Sequence, residues 1–470
     1  MESGIVAVYG FRAGAAYENP RWSWGLAWHI ESEVIAASGS GLVSHGASQP
    51  ENMCHNNEYR WTTRVRMTSQ QERTAAMKQS CASPLHRIAP QARHQSCLAL
   101  AVALLGATAL PAQADVAITD ELSFHGDVRA GYFHLRRKDR DDTTSTDSDW
   151  RIRVRPGVKW QPTDNWTFAA RLAGRFAHKQ DGTRFTMDPY APPLGHGEAS
   201  LDQLYAQYQT EQHTVVAGRF QVAHALIGVS PKSLDRNDSG NMEIHWADGL
   251  SWTYRVADGW QTRAVIEHNH RKGASGVRNA PLGFDDGDAR WSTFITLENN
   301  ELQGIFAQRG ISVTWLPEAL YTDGTMIDRH EDYWTVSARA ALRWPIADTG
   351  SSFQLGMEGG YAPNTPSKSA VGLNGSGDSK GTAWQVSANW LDFAEGHSLG
   401  LVYGRVEAGW LQSPDFIPHQ DLTEVRYQWN VDSNQLFEIR VRQRKDISRP
   451  LAAEKSRDDV DFHLHYTVTF

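Results

Sequence analysis

The chain has 470 residues, a formal net charge of −8, 40% hydrophobic residues and a negative mean hydropathy. No basic tract stands out of that acidic background, which argues against nucleic acid as a partner, and after Leu110 no apolar run approaches the roughly 20 residues a spanning helix needs. The only cysteines are Cys54, Cys81 and Cys97, so the later chain has no disulfide, thiolate nucleophile or cysteine metal site.

Residues 1–76 scatter Trp, Arg, Ser and His without helical or strand period, and two origins fit them: upstream sequence read in frame ahead of the true start, or a cytoplasmic pre-segment. Met77-Lys78 is well placed as a start. Lys78, Arg87 and Arg93 precede the uncharged apolar run Cys97–Leu110, which is followed by Ala112-Gln113-Ala114. That order of basic region, apolar region and small-residue cleavage site is a secretory signal peptide over 77–114, and about 14 apolar residues are too few for a spanning anchor.

From residue 115 to residue 470 the chain alternates short turns with long polar loops, both marked by Gly, Asn, Asp and Pro. The turns are expected at 161–165, 210–213, 257–259, 298–301, 347–350, 394–397 and 430–434. The loops are expected near 137–148, 178–199, 222–247, 271–289, 316–331, 362–380, 411–419 and 446–458. The fold class this predicts is all-β: an up-and-down antiparallel transmembrane barrel of about 16 strands, with short turns on the periplasmic side and long loops outside. Hydropathy averages miss such strands because only every second residue meets lipid.

Tryptophan spacing supplies an independent measure. Trp150 and Trp160 share a strand face with Ile152, Val154 and Val158; Trp334 and Trp344 share one with Val336, Ala338, Ala340 and Leu342. About ten residues at roughly 3.3 Å each, tilted near 45°, separate the rings by about 23 to 25 Å along a membrane normal, the span between two aromatic girdles. Trp166, Trp260 and Trp429 extend the periplasmic girdle, and Trp291, Trp315 and Trp410 the outer one. The chain ends on Val460–Phe470, with even positions apolar, odd positions polar and Phe470 last. Such alternation suits a strand between lipid and a wet lumen, and a soluble edge strand rarely leaves six apolar side chains uncovered.

With the lipid face set, Arg129, Arg151, Arg153, Arg155, Lys159, Arg171 and Arg175 point inward from the first three strands. Arg339 and Arg343 do so across the barrel, and Arg426, Arg440, Arg442 and Arg444 from late strands. Because first and last strands meet on closure, most of these form one basic wall suited to enriching anions. Pairing with Asp127, Glu438 and Asp461 is the other reading, and the sequence leaves both open. The long connection Val222–Trp246 carries Leu226, Ile227, Val229 and Leu234, which a fully solvated loop does not need; it packs either into the barrel, as an outer cap, or against another subunit.

In these features the chain resembles porins of the Gram-negative outer membrane. The terminal strand resembles the one such proteins present to their insertion machinery, and Val215-Val-Ala-Gly-Arg-Phe220 resembles the phosphate-selective porins and their relatives. The resemblance implies an inward-folded loop with Lys232, Asp235, Arg236, Asp238 and Glu243 as constriction charges, their carboxylates facing the basic wall. It also implies outer-membrane localisation and a homotrimer. Contacts with outer-membrane lipid and lipopolysaccharide, docking of Phe470 on the insertion machinery, and passage of small polar or anionic solutes follow. Phosphate-selective members cluster lysines at the constriction; this loop has only Lys232, so phosphate specificity is not carried over.

No Ser and His pair declares an outer-membrane lipase site. His268-Asn269-His270 lacks further metal ligands, Asp139 to Asp149 and Asp285-Asp286-Gly287-Asp288 lack EF-hand spacing, and no phosphate-cradling loop leads into a helix. The expectation is a passive channel, not an enzyme, with no cofactor or metal. The alternatives are a substrate-specific channel or exporter for an acidic sugar or polysaccharide, and a hydrolase or adhesin on a barrel scaffold.

Overall fold

The computed structural model describes residues 115–180, 182–186, 194–257, 259–269, 279–284, 290–323, 330–347 and 349–470. The expected upstream extension (1–76) and signal peptide (77–114) lie outside the described residues, as do His270, Asp285, Asp286 and Asp288.

The first half of the barrel runs β1 (Val116–Ala117), β2 (Leu122–Lys138), β3 (Thr144–Trp160), β4 (Trp166–Ala177), β5 (Arg184–Phe185), β6 (Glu198–Gln209) and β7 (His213–Phe220). A hairpin, β8 (Ala223–Leu226) and β9 (Lys232–Asn237), then precedes β10 (Ala247–Ala257), β11 (Trp260–Asn269), β12 (Arg290–Asn299) and β13 (Phe306–Tyr321). The rest is β14 (His330–Pro345), β15 (Ser352–Tyr361), β16 (Thr382–Ala394), β17 (His397–Val406), β18 (Gln420–Asn430), β19 (Gln435–Asp446) and β20 (Asp458–Thr469).

Sixteen long strands pair antiparallel in chain order, and β2 pairs with β20 to close the ring. Closure leaves no sheet edge with unpaired amides, the requirement for strands that cross hydrocarbon. β1 and β5 are two-residue additions, and β8 with β9 forms a separate sheet. β7 pairs directly with β10, so residues 221–246 leave the wall and return to it at the neighbouring strand.

Period-two alternation sets the two faces. On β14, Trp334, Val336 and Ala338 are exposed outward while Thr335, Ser337 and Arg339 are buried. β20 buries Asp461, His463 and His465 inward and turns Val460, Phe462 and Leu464 out. Rings gather at both rims. Trp315 stacks on Trp334 at 5.5 Å and Tyr132 tilts against Trp150 near one end; Trp160, Phe168 and Trp166 stack in a row near the other, where Trp344 meets Phe353.

Three expectations need correction. The 137–148 loop shrinks to residues 139–143, because polar residues 144–148 continue β3 in full register with β2. β13 likewise carries on to Tyr321 across an irregularity between Leu316 and Leu320. Trp410 is no girdle residue: it is fully buried within the barrel, and its indole Nε1 donates to the Leu234 carbonyl at 2.9 Å. An indole with its N–H paired to an inner loop is as well satisfied there as at a membrane interface.

Candidate functional site

The 221–246 segment folds into the lumen. Leu234, on β9, is fully buried in an apolar cluster with Leu316, Tyr333, Val402, Trp410 and Phe416, contributed by β13, β14, β17 and the 407–419 connection. Glycine makes room for it on the wall. A Cβ at Gly400 would sit 2.7 Å from the Val229 Cβ, and one at Gly360 would sit 2.4 Å from the ring of Trp410, the residue of the 407–419 connection that packs on Leu234. Both contacts are closer than side chains tolerate, so these strands are bare where the loop lies.

Polar contacts pin the loop around its length. Lys232 Nζ lies 2.8 Å from Glu424 Oε2, both side chains fully buried, and Ser230 donates to the other oxygen of Glu424. Arg236 Nη2 lies 2.5 Å from Glu267 Oε2 and its guanidinium stands over the Phe294 ring. Asp235 accepts from Thr314 Oγ1 at 2.7 Å, and Asp238 accepts from the Val222 backbone amide at 2.7 Å. Burial pushes the Asp238 carboxyl up to about 6, against the pull of Arg236.

Of the five loop charges, therefore, Lys232, Arg236, Asp235 and Asp238 are spent on holding the loop, and neither aspartate faces the basic wall. Glu243 differs: its side chain is half-exposed to the lumen and lies 3.4 Å from His245. Enclosure raises its pKa, but the His245 contact and the facing Arg175 and Arg444 overcome this and hold it at about 2.

The wall opposite is basic. In register across β2, β3 and β4, Arg129 lies beside Arg153 and Arg153 beside Arg175; Arg426 lies beside Arg440 on β18 and β19. Like charges opposite one another destabilise a sheet, and carboxylates interleave to offset this. Asp127 takes Arg153 at 3.0 Å and Arg155 Nε at 2.7 Å, while Asp202 receives both arms of Arg171 at 3.0 and 2.8 Å. Asp461 bridges Arg440 and Arg442, and Arg426 lies between Glu424 and Glu438.

Four arginines are left over. Among the described residues, no carboxylate lies within ion-pair distance of Arg129, Arg151, Arg175 or Arg444. Arg129 bonds Thr467 Oγ1 and the Asn241 carbonyl, Arg151 stands 3.7 Å over the Phe133 ring, Arg175 donates to the Leu194 carbonyl and Arg444 to that of Asp415. Lys159, near the short-turn end, pairs with Asp115 at 3.0 Å. Arg339 pairs with Glu358 at 3.0 Å and Arg343 donates to Gln354; both lie on the far wall, with the loop between them and the basic side. A cavity of about 380 Å³ opens against Arg129, Arg153, Arg155, Arg171 and Lys159, with Asp115 and Asp127 its acidic lining residues.

Three contributors were not singled out in the sequence. Glu424 anchors the loop and pairs with the wall; Asn241 touches arginines from four strands; Asp202 reaches the lumen through a bulge between β4 and β6. The bare lumen-facing glycines of β15 and β17 were the one legible signal for where the loop docks. His268 meets Trp291 edge-on with ring centroids 5.1 Å apart, both on the outer face.

No protein-family model matches the chain, and no curated protein matches it at a significant level. The chain is similar to several solved structures. The high-pH structure of OprB from Pseudomonas putida superposes with a TM-score of 0.50 at 10% identity, covering 74% of this chain and 94% of that one. The outer membrane channel DcaP of Acinetobacter baumannii gives 0.45 at 12% identity, covering 74% and 97%. OprD of Pseudomonas aeruginosa gives 0.42 at 12% identity, covering 74% and 95%. The likeness to OprB is one of fold.

Proposed function

We propose that the protein is a passive channel of the Gram-negative outer membrane that admits small polar solutes and favours anions. The observation that carries this reading is the arginine surplus: among the described residues, Arg129, Arg151, Arg175 and Arg444 have no carboxylate within ion-pair distance, they align with paired arginines along β2, β3, β4 and β19, and Arg129 lines the basic cavity. Arginine stays protonated at any relevant pH, so the wall offers a permanent positive potential that concentrates anions in a confined lumen. The apolar outer face and its two aromatic rims suit a bilayer, and the mechanism is field and sieve with no chemical step. Outer-membrane lipid and lipopolysaccharide are then its surroundings, the insertion machinery meets Phe470, and a homotrimer is the assembly the porin resemblance favours.

One observation favours a narrower reading as well. The loop packs inside the barrel against β13, β14 and β17, and the basic cavity opens on the other wall, which suits a channel selective for a carboxylate-bearing sugar over a general sieve. Competition by acidic oligosaccharides for ion current separates the two readings.

The primary test is single-channel current in a planar bilayer under a KCl gradient, with protein purified from outer membranes. Discrete steps reversing toward the chloride potential are expected. Charge reversal by Arg153→Glu with Arg155→Glu should lower the anion-to-cation permeability ratio by roughly an order of magnitude, since it replaces two cations with two anions at the confined wall. An unchanged ratio in a folded barrel removes the wall from the mechanism; no steps from a folded barrel removes conduction.

A further inference from the structure

Asn241 sits at the end of the inward loop and is half-buried in the middle of the basic wall. Its backbone carbonyl accepts from Arg129 Nη1 at 3.1 Å and from Arg153 Nη1. Its side-chain oxygen accepts from Arg440 Nη1 at 3.1 Å and from Arg426 Nη2 at 3.3 Å, and its amide nitrogen donates to Asp415 Oδ1 at 3.4 Å. Two oxygens of one neutral residue thus occupy four guanidinium groups drawn from β2, β3, β18 and β19. Gln221, at the start of the loop, makes a smaller contact of the same kind, its Oε1 accepting from Arg155 Nη1 at 3.2 Å and Arg171 Nη2 at 2.6 Å, and the Ser239 carbonyl accepts from Arg153; Asn241 gathers four of the wall's charges on uncharged acceptors.

Guanidinium groups bind carboxylates through shorter and stronger bonds than they make to neutral carbonyls. The four arginines are therefore held in a geometry that two oxygens can bridge, by a ligand weaker than the one their chemistry prefers. The basic cavity adjoins Arg129 and Arg153, so an anion entering it arrives beside the same groups. Asp127, Glu424, Glu438 and Asp461 satisfy part of the local charge, and Arg129 has no carboxylate partner among the described residues.

We infer that Asn241 is a built-in competitor for an anion-binding site formed by Arg129, Arg153, Arg426 and Arg440, and that a small dicarboxylate takes the site by displacing the loop end. Ligand and loop exclude one another, so binding at the arginines is also the release of the constriction. The apparent affinity for the anion is lowered by the fraction of time Asn241 is seated. This rests on the reading of the barrel as an anion channel, and deepens it by naming the residue that guards the site.

Succinate binding, measured by titration calorimetry on full-length protein in detergent, tests the inference apart from conduction. Asn241→Ala removes the side-chain oxygen and loosens the loop end, and should tighten succinate by about fivefold, because the lost bonds are charge-assisted. Asn241→Asp places a carboxylate on the same arginines and should weaken succinate by about tenfold. Adding Arg129→Gln to Asn241→Ala should cancel the gain, the coupling expected of residues that share one site. Heat-dependent gel mobility reports whether each variant is folded, and a conservative Asn241→Gln, which keeps the amide, should bind succinate like the parent.

Equal succinate affinity in the parent, Asn241→Ala and Asn241→Asp proteins overturns the inference, as does weaker binding in Asn241→Ala. A parent channel that conducts without anion bias, yet whose Asn241→Ala variant binds succinate more tightly, overturns the anion-preference reading and supports the guarded site.

Discussion

Asp202 owes its place in the lumen to one extra residue. Strict alternation along β6 puts it on the same face as Leu204, which is exposed to the outside, but Arg171 pairs with Gln203 while Leu172 pairs with Leu201. The residue left over between those pairs turns inward, where it is fully buried and receives both arms of Arg171. Bulges re-aim side chains in this way, and no pattern of residue types announced this one. Removing the carboxylate strands a buried guanidinium, so Asp202→Ala should destabilise the barrel by roughly 3 to 5 kcal/mol, read as a lower midpoint in urea unfolding. A midpoint equal to the parent's shows that Gln221, which also accepts from Arg171, suffices alone. The same logic explains why the basic wall was legible while its residual charge was not. Parity along a strand tells which arginines face inward, but whether a carboxylate on another strand reaches them depends on register.

At the scale of the element, the inward loop is held by two kinds of contact that fail differently. Leu234 and Trp410 supply apolar burial on one side of the lumen, and Lys232 with Glu424 supplies a desolvated ion pair close by. The ion pair orients more than it stabilises, since removing both charges from water offsets most of their attraction; the apolar contact carries the docking energy. Trp410→Ala should cost about 3 to 5 kcal/mol, typical for a buried tryptophan, and should free the β9 end of the loop. Its conductance should rise above the parent's with noisier open states. Parent-like conductance would show that the loop is held by its polar contacts alone. The loop's apolar residues marked it in the sequence as packed against something, but three surfaces fitted. Deciding among them required the glycines on the inner faces of β15 and β17, Gly356, Gly360, Gly400 and Gly404, which lie 130 residues or more along the chain from Leu226.

For the whole molecule, closure of the ring is the event on which everything else depends. It takes place at β2 and β20, the ends of the described chain, where Gly126 and Phe470 exchange backbone hydrogen bonds of 2.6 and 3.0 Å and the Phe470 ring stacks on Phe124 at 5.1 Å. Until that seam forms, every β2 amide and carbonyl facing it is unpaired, which lipid does not tolerate. Deleting Phe470 should therefore lower the amount of folded protein in the outer membrane several-fold while leaving the unitary conductance of the assembled fraction unchanged. Parent-like membrane levels would show that the final residue is dispensable for closure.

What the sequence determined by itself was whatever depends on residues near one another along the chain: alternation with period two, tryptophans ten residues apart, turn residues at regular intervals, and hence an antiparallel barrel of about sixteen strands with arginines turned inward. Each of these is a local rule, because a strand's two faces and its length are set by its own backbone. Only the tertiary structure decided what fills the barrel. That Trp410 lies inside and not in the girdle, that Asp235 and Asp238 hold the loop instead of facing the arginines, and that Asn241 meets four of them all depend on contacts between segments far apart in the chain. Their partners are selected by register and enclosed volume, which a single strand does not encode.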